Sequence, residues 1–533
     1  MARLQGKIVG QGGTPRQALQ AAKGSRIKEV PQVEYMAPTK SLSLPPLVER
    51  VRAALPGQEI YLVGGAVRDL LLGRQLHDID FAVKGQAIPL ARKLANLLDA
   101  DFYVLDKERD VARLLLEDET DKHVTMDFIT LQGADIDADL AARDLTINAM
   151  AIDLRQSHAL LDPMGGTADL AAKRVRACAP ESFTADPVRI LRAIRMAALF
   201  GMKIENNTRK HMRDAVKGLK DVSPERLRDE FFHLLLAPKL KTSLYALDLL
   251  GALEKFLPEV NPLKGLEQSA PHIFEAWEHT LNVLEALEKV LDVLSEDYSP
   301  DRVSDLQGGL IVISLGRYRH QLSQHVNSVA VPDRPRRALL MFAALTHDVG
   351  KALTRSIGED GRIHFYEHEA RGAELADSRA GALHLSNDER ELLHKLISNH
   401  MRPMQLTLTG ELPSRRAIYR FFRATDAAGV DICLLSLADM LGKYGAEVPE
   451  AELKKHLETL RVLLEAYYEE PHKSVSPPIL LNGDELMREL ELKPGPKVGE
   501  LLDALSEAQA IGEVGDREQA LQFARTLLKT SPR

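Results

Sequence analysis

The sequence has little of several features that would place it in a specialised class of protein. It contains only two cysteines, Cys178 and Cys433, in 533 residues, which fits a reducing cytoplasm better than a disulfide-stabilised secreted fold. No apolar run approaches the ~20 residues of a membrane span, and the N-terminus has no apolar signal segment. The net charge of −8 argues against a uniformly basic nucleic-acid coat but permits a local basic groove. These absences predict a soluble cytoplasmic protein with no membrane contact.

The apolar content, in contrast, is enough for more than one core. Of the residues, 45% are hydrophobic and 27% are charged, and a single core rarely grows beyond ~250–300 residues. Residues 1–43 lack lasting periodicity and predict a disordered basic arm. Strand and helix patterns then alternate up to Asp139, after which strand signals almost vanish and helical periodicity dominates. The predicted fold class is an α/β head followed by a mainly α-helical body.

The head contains a pair of carboxylates between apolar residues, in "YLVGGAVRDLLLGRQLHDIDFAV" (residues 61–83). Residues two apart in a strand face the same side, so Asp78 and Asp80 are expected to point together while Ile79 packs into the core. Two carboxylates so placed repel each other unless a cation lies between them. Mg²⁺ is the natural occupant, because it takes oxygen ligands and retains sites for substrate phosphates.

The turn before this strand suits a nucleotide phosphate. Gly64 and Gly65 allow the backbone to approach a phosphate closely, and the N-terminus of the following helix favours anions. Arg68, on the first turn of that helix, can add a charge-assisted contact to a triphosphate. A lone Asp-x-Asp is most often a solvated turn, but this combination indicates phosphoryl chemistry on a nucleotide.

The same stretch resembles the signature of the polymerase-beta-type nucleotidyltransferases, specifically the bacterial tRNA nucleotidyltransferase (CCA-adding enzyme)/poly(A) polymerase family. The resemblance covers almost the whole chain and implies a polymerase-beta-like mixed sheet in the head. It implies that Asp78 and Asp80 are catalytic and bind Mg²⁺, and that Gly65 and Arg68 hold the incoming nucleoside triphosphate. Asp127 in "VTMDFIT" is either a third metal-binding carboxylate or a structural aspartate.

Two later segments resemble the nucleotide-reading motifs of this family. In "ARDLTINAM", Arg143 and Asp144 match the pair that recognises the ribose. In "ADPVRILRAIRMAALFGM", Asp186 and Arg189 match the pair that reads the base, and Pro187 is expected in the first helical turn. A carboxylate accepts from an exocyclic amine and a guanidinium donates to an acceptor, so such a pair can select C and A. Arg192 and Arg195 continue this basic edge at helical spacing, although an exposed basic helix has the same pattern.

Two alanines depart from the family pattern. The family often has arginine at the position of Ala142 and glutamate at the position of Ala185. These departures leave three activities open: complete CCA addition to the tRNA 3′ end, addition of CC or A alone, and poly(A) synthesis. A further alternative is a phosphohydrolase whose head only binds RNA or nucleotides.

The helical half contains a second set of chemistry-bearing residues. Adjacent His347 and Asp348, with further separated histidines and an aspartate, suit divalent transition metals. The set resembles the HD-domain phosphohydrolases, and the resemblance implies a metal site that either hydrolyses phosphate esters or only stabilises the fold. Its implied ligands are His279, His347, Asp348, His368, His400 and Asp439.

The sequence therefore predicts a multidomain enzyme that acts on RNA, with partners, cofactors and domain limits implied by the resemblance. The implied partners are the tRNA 3′ end, CTP and ATP, and the implied cofactors are Mg²⁺ and a divalent transition metal in the HD site. Oligomeric state is not predicted. The predicted domains are a disordered arm (1–43), a nucleotidyltransferase head (44–165), a nucleotide-selecting and RNA-binding neck (166–262), an HD domain (263–468) and a helical tail (469–533).

Overall fold

The computed structural model describes residues 2–4, 7–10, 32–33, 43–76, 78–117, 123–155, 159–299, 305–331 and 334–530. The chain divides into two compact units. One unit consists of Met1–Val222 with Leu250–Ala252, and the other of Ser223–Leu249 with Leu253–Arg533. No helix in the described part of the chain is both long and apolar enough to cross a bilayer.

A seven-stranded mixed sheet forms the centre of the first unit. Its strands are β1 (Ile60–Val63), β2 (Asp78–Val83), β3 (Asp101–Asp106), β4 (Val111–Glu117), β5 (His123–Thr130), β6 (Ala151–Asp153) and β7 (Leu160–Leu161). The spatial order is β7-β6-β1-β2-β5-β4-β3, in which β2 and β5 run parallel and every other neighbouring pair runs antiparallel. The predicted α/β head with a mixed sheet is confirmed.

The sequence pattern predicts the first five strands of this sheet at Ile60–Val63, His77–Val83, Phe102–Leu105, Ala112–Leu116 and Val124–Ile129, each within one residue of its observed limits. The prediction that strands almost vanish after Asp139 misses β6 and β7, which extend the sheet on the far side of β1. All three residues of β6 are buried, so the strand has no alternation between buried and exposed residues. Strands of two or three residues are too short for a period-two pattern, and their position is decided by pairing with β1.

Helices cover the sheet and continue into the neck. The helices of the first unit are Pro46–Ala54, Gly65–Leu71, Ala87–Leu98, Ile136–Ala141, Gly166–Ala171, Ser182–Ala185, Arg189–Phe200 and Asn206–Ala215. Short 3₁₀ turns occupy Thr146–Asn148 and Val216–Asp221, and Arg174–Val175 pairs in parallel with Lys203–Ile204. The core of the head lies between the sheet and its helices and includes Phe81 stacked on Phe128, with ring centroids 4.8 Å apart.

Three stretches of the predicted disordered arm form a small antiparallel sheet. Ala2–Leu4 pairs with both Lys7–Gly10 and Gln32–Val33. Paired strands satisfy each other's backbone donors and acceptors. The remainder of the predicted arm up to residue 42 lies outside the described residues.

The second unit is mainly helical, as the sequence predicts. Its α-helices are Pro224–Leu235, Leu240–Leu250, Leu253–Phe256, Ala276–Val293, Leu306–Leu315, Arg319–Asn327, Arg336–Thr346, Lys351–Thr354, His368–Ala382, Asn387–Asn399, Arg402–Leu408, Arg415–Thr425, Ala428–Tyr444, Glu450–Tyr468, Pro471–Ser474, Gly483–Leu490, Pro496–Ile511 and Arg517–Thr530. Its 3₁₀ turns are Pro258–Leu263, Gly316–Tyr318 and Gly445–Glu447. Two short hairpins pair Val329–Val331 with Arg334–Pro335 and Arg355–Ile357 with Ile363–Phe365.

Candidate active site and metal centre

Three carboxylates meet on two neighbouring strands of the head sheet. Asp78 and Asp80 lie on β2 with Ile79 between them, and Ile79 is only 2% exposed. The parallel register places Asp80 directly opposite Asp127 on β5. The alternation of β2 therefore turns one residue into the core and leaves the two aspartates on the other face, next to the third.

The negative charges in this cluster act on one another. Burial raises the pKa of Asp80 to about 6, and the neighbouring carboxylates of Asp127 and Asp78 add to the increase, while the Arg143 guanidinium opposes it. A divalent cation with oxygen ligands would relieve this repulsion, so the donor set fits Mg²⁺. No ion is needed to explain Asp127, because its two oxygens accept from Nε and Nη2 of Arg113 at 2.8 and 2.9 Å.

Gly64 lies where this cluster meets the following helix. It has φ 71° and ψ −136°, a positive-φ conformation that favours glycine, and it directly precedes the helix Gly65–Leu71. A Cβ added at Gly64 would lie 3.0 Å from Nη1 of Arg143 and 3.3 Å from Oδ2 of Asp80. The glycine thus leaves the space in which a cationic and an anionic side chain come close to the backbone.

Arg68 is held at the N-terminal end of the same helix. Its Nη2 would lie 3.3 Å from a Cβ at Gly65. The guanidinium donates to Asp69 through Nε and Nη2 at 3.0 and 2.9 Å and to Asn148 Oδ1 through Nη1 at 2.6 Å. It also stacks on the Phe200 ring, with 4.5 Å between Cζ and the ring centroid. The side chain is 9% exposed and therefore fixed in position before any ligand arrives.

The two residues of the predicted ribose pair point to different neighbours. Arg143 lies close to Gly64 and donates from Nε and Nη2 to Asp139 Oδ2, both at 3.1 Å. Asp144 is buried, accepts from the backbone N–H of Leu145 at 2.7 Å and lies 3.5 Å from Nη1 of Arg192. The structure therefore places Arg143 beside the carboxylate cluster and Asp144 beside the neck.

The predicted base-reading pair, Asp186 and Arg189, lies at the start of the helix Arg189–Phe200. Nε of Arg189 lies 3.6 Å from Oδ2 of Asp186, and Nη1 of Arg189 approaches the carbonyl oxygens of Ala142 and Ser182. Asp186 is extended, and the helix starts at Arg189 rather than with Pro187 in its first turn. The backbone turn across Pro187, in which Arg189 N–H donates to the Asp186 carbonyl, brings the two side chains together.

Arg192 and Arg195 continue along the neck helix that Arg189 starts. The contact between Arg192 and Asp144 joins this helix to the head motif. Arg195 is partly buried one turn further along the helix. The structure thus joins Asp144 to Arg192, whereas Arg143 lies separately beside the carboxylate cluster.

The six predicted HD ligands converge from different helices of the second unit. Asp348 lies at the centre: its Oδ2 is 3.4 Å from Nε2 of His279 and 3.2 Å from Nε2 of His347, and its Oδ1 is 3.5 Å from Nε2 of His368. Nε2 of His279 is also 3.0 Å from Oδ1 of Asp439. Two groups with metal-ligand spacing share Asp348, one with His279 and His347 and the other with His368 and His400.

The hydrogen bonds of these histidines leave at least one ring nitrogen of each without a hydrogen-bond partner in the described part of the chain, available to a metal. His347, His368 and His400 each pair Nδ1 with a backbone carbonyl, at 2.8, 2.8 and 2.7 Å. Their Nε2 atoms, and both ring nitrogens of His279, are buried without a hydrogen-bond partner in the described part of the chain. Backbone carbonyls commonly fix metal-ligating histidines in this tautomer. The donor set of imidazoles and carboxylates therefore fits divalent transition metals.

Electrostatic interactions and burial shift the pKa values of several residues in this cluster. Although burial opposes both shifts, the Asp348 carboxylate raises the pKa of His347, and His347 lowers the pKa of Asp348. Burial, together with the charges of His347 and His368, lowers the pKa of His400 to about 3. His400 is therefore neutral near pH 7, the state in which imidazole binds a metal.

Comparison with known proteins agrees with this geometry. Residues 60–176 match the family model for the poly A polymerase head domain, 201–264 that for the probable RNA and SrmB-binding site of polymerase A, and 276–441 that for the HD domain. An A-adding tRNA nucleotidyltransferase of Deinococcus radiodurans is 33% identical over 88% of this chain and 96% of that protein. The chain belongs to the tRNA nucleotidyltransferase family. It is an enzyme of the nucleotidyltransferase class.

Other members of the family resemble this nucleotidyltransferase along most of its length. A CC-adding tRNA nucleotidyltransferase of Thermus thermophilus is 32% identical over 87% of this chain and 93% of its own. A solved apo structure of a CCA-adding enzyme covers 92% of this chain and 96% of its own, with a TM-score of 0.59 and 20% identity. This structural likeness supports the fold, an α/β head followed by a helical body with an HD domain.

Several side chains that organise this nucleotidyltransferase site were not predicted from the sequence. Arg113 holds Asp127, Asp139 holds Arg143, and Asn148 holds Arg68. Asp139 lies four residues before Arg143, so helical spacing gives a signal for it, whereas Asn148 lies within the motif that contains Arg143 and Asp144 and has no such signal. Arg113 has no such signal, because its contact depends on the pairing of β4 with β5.

Replacing Gly64 by alanine is expected to lower the rate of nucleotide addition about 10- to 100-fold, because the new methyl group displaces Arg143 or Asp80 from the site. The positive φ adds a stability cost of about 1–3 kcal/mol. Gly73→Ala is the matched control, since Gly73 has φ +69° but open space around its Cβ position. Thermal unfolding and steady-state kinetics separate the effects: equal activity losses in both variants would mean that strain alone is responsible.

Proposed function

We propose that this cytoplasmic nucleotidyltransferase adds CMP and AMP from CTP and ATP to the 3′ end of tRNA without a nucleic-acid template. The observation that carries the proposal is the cluster of Asp78, Asp80 and Asp127 beside Gly64 and Arg143, at the N-terminus of a helix. Membership of the family supports the reaction class, and relatives named for A addition, CC addition and multifunctional CCA activity support tRNA as the acceptor.

In the proposed reaction, the 3′-hydroxyl oxygen of tRNA bonds to the α-phosphorus of the nucleoside triphosphate. The bond between the α-phosphorus and the oxygen that bridges it to the β-phosphorus breaks, pyrophosphate leaves, and the hydroxyl proton is released to solvent. Asp78 and Asp80 would hold Mg²⁺, which when bound neutralises phosphate charge and lowers the pKa of the attacking hydroxyl. Gly65 and Arg68 place backbone N–H groups and a fixed cation at the triphosphate, and Arg143 adds positive charge next to Asp80.

Base selection is assigned to the neck. The Asp186 carboxylate accepts a hydrogen bond from the exocyclic amine of cytosine or adenine, and the Arg189 guanidinium donates to the neighbouring ring nitrogen. Uracil and guanine present the opposite pattern at these positions. Arg192 and Arg195 lie further along the helix from this pair and are assigned to binding phosphate or RNA, with Arg192 positioned by Asp144.

The number of nucleotides added defines two candidate activities, complete CCA addition and addition of CC or A alone. Relatives that match most of this chain include both an A-adding and a CC-adding enzyme, and these relatives support partial addition as the second candidate activity. Ala142 and Ala185 lie beside the pair that reads the base, where the family often has charged side chains.

The deciding experiment incubates the protein with tRNA that ends before the CCA sequence, after its first two cytidines, or complete. Each substrate receives CTP, ATP or both with Mg²⁺, and the products are sequenced. CCA on the shortest tRNA supports the complete activity, whereas CC alone, a single A or an A-tail each supports a narrower one. Absence of any product would contradict the transferase proposal.

For the HD site we propose hydrolysis of a phosphate ester. Three of the six converging residues, Asp348, His368 and Asp439, line a cavity of about 440 Å³. In this reaction a water oxygen bonds to phosphorus, the ester O–P bond breaks, and the released hydroxyl takes the proton. The histidines and aspartates would hold divalent metal, which when bound activates water and neutralises the phosphate.

A further inference from the structure

The neck helix Arg189–Phe200, which begins at a base-reading residue, also contacts the cation assigned to the triphosphate. Met196 and Phe200 lie four residues apart, so their side chains share one face of the helix. Nη1 of Arg68 donates to the sulfur of Met196 at 3.5 Å, and its guanidinium stacks on the Phe200 ring. Arg74 lies over the same ring, with 4.6 Å between Cζ and the centroid. A movement of this helix relative to the sheet would therefore move Arg68.

A second route joins the same helix to Arg68 through the head. Arg192 lies one turn before Met196, and its Nη1 is 3.5 Å from Oδ2 of Asp144. Nδ2 of Asn148 donates to Oδ1 of Asp144 at 3.3 Å, and Oδ1 of Asn148 accepts from Nη1 of Arg68 at 2.6 Å. An amide can donate to a carboxylate and accept from a guanidinium at the same time. The two routes form a closed circuit of contacts between the neck helix and Arg68.

We infer that this circuit couples base selection to the position of the triphosphate, and that Phe200 and Asn148 are its positioning residues. A cytosine or adenine bound by Asp186 and Arg189 fixes the start of the neck helix, and the circuit then holds Arg68 at the triphosphate. A base that does not match this pair leaves the helix displaced, so Arg68 is displaced and the α-phosphate is not aligned for attack. The inference rests on the base selection proposed for the neck.

The test compares kcat/KM for accepted and rejected nucleotides in the full chain with Mg²⁺. CTP is compared with UTP on tRNA that ends before the CCA sequence, and ATP with GTP on tRNA that ends after its first two cytidines. Phe200→Leu keeps an apolar side chain but removes the cation–π contact. We expect kcat/KM to fall about tenfold for the accepted nucleotide and less than about twofold for the rejected one, whose addition does not use the circuit. Equal losses for both nucleotides would mean that Phe200 only supports the structure, and would overturn the inference.

Further variants separate the two routes. Phe200→Tyr retains the aromatic face and is expected to keep the wild-type selectivity within about twofold. Asn148→Ala interrupts the route through the head and is expected to lower the selectivity as Phe200→Leu does. The matched controls are Leu199→Ala, at a 36% exposed neighbour on the same helix, and Asn207→Ala, at an exposed asparagine. Thermal unfolding verifies that each variant is folded, and unchanged selectivity in a folded Asn148→Ala protein would contradict the route through the head.

An Arg68→Met background tests whether Phe200 acts through Arg68. In this background, Phe200→Leu should lower the selectivity by no more than about a further twofold, because residues that act through one group are not additive. A second tenfold loss would mean that Phe200 acts independently of Arg68, contrary to the inference. Wild-type protein that adds UMP and GMP as efficiently as CMP and AMP would refute base selection and the coupling together. Wild-type selectivity that survives in Phe200→Leu would refute the coupling alone.

Discussion

Replacement of Asp78 and Asp80 together by asparagine is expected to lower the rate of nucleotide addition to tRNA by about 10³-fold or more, equal to about 4 kcal/mol of transition-state stabilisation. The amide groups keep the size of the side chains but remove the charges that would hold Mg²⁺. Because burial and the Asp127 carboxylate already disfavour the charged form of Asp80, loss of the charge at Asp80 is expected to stabilise the fold slightly. Incorporation of labelled CMP and AMP measures the rate, and thermal unfolding measures the stability.

Asp101→Asn is the control for this experiment. Asp101 is an exposed aspartate that starts β3, in the same sheet but away from the cluster, and its replacement should leave the rate unchanged. Addition of nucleotides at more than about a tenth of the normal rate by the double variant would refute the assignment of the metal ligands. If the wild-type protein also adds no nucleotide but hydrolyses phosphate esters, the head is only a binding module, the alternative that the sequence leaves open.

Replacement of Asp348 by asparagine is expected to empty the HD centre of metal and to stop phosphate-ester hydrolysis, with a loss of about 10³-fold or more. Asp348 belongs to both ligand groups, so a single substitution removes a ligand from each. tRNA extension by the head should continue at the normal rate. Metal content by mass spectrometry is the direct measurement, since it does not depend on knowing the natural substrate.

His400→Gln provides the comparison that makes this prediction specific. His400 belongs to only one of the two groups, so its loss should remove one metal ion and leave the group of His279, His347 and Asp348 occupied. Asp388→Asn, at an acidic residue in the first turn of Asn387–Asn399, is the matched control with unchanged metal content. Equal metal content in Asp348→Asn and wild type, with circular dichroism showing both folded, would contradict a shared ligand.

Local patterns in the sequence were enough to predict most of the head. β1 is predicted at its observed limits, and the predicted helix Ala66–Leu72 and strand His77–Val83 each differ from the observed elements by one residue, because each has a clear apolar period and a glycine turn marks the boundary. The separation of Asp78 from Asp80 by one residue also fixes their common face. Such features depend on residues close together in the chain, where the pattern contains the information.

Contacts between distant segments could not be predicted in this way. Arg113 reaches Asp127 only because β4 and β5 pair in one particular register, and the tethering of Arg68 to Asn148 spans 80 residues. The missed strands β6 and β7 follow the same rule, since three or two residues have no period of their own. Register and long-range packing depend on the competition among all possible partners, which a local pattern does not describe.

The sequence by itself determined the types of chemistry in this protein: paired carboxylates for nucleotide transfer in the head, and imidazoles with aspartates for metal binding in the body. It did so because the side chains and their spacing limit which ligands can be held. The tertiary structure alone decided how those groups are used. It placed Arg143 rather than Asp144 beside Asp80 and made Asp348 common to both groups with metal-ligand spacing in the HD domain. Each of these outcomes depends on the packing of elements far apart in the chain.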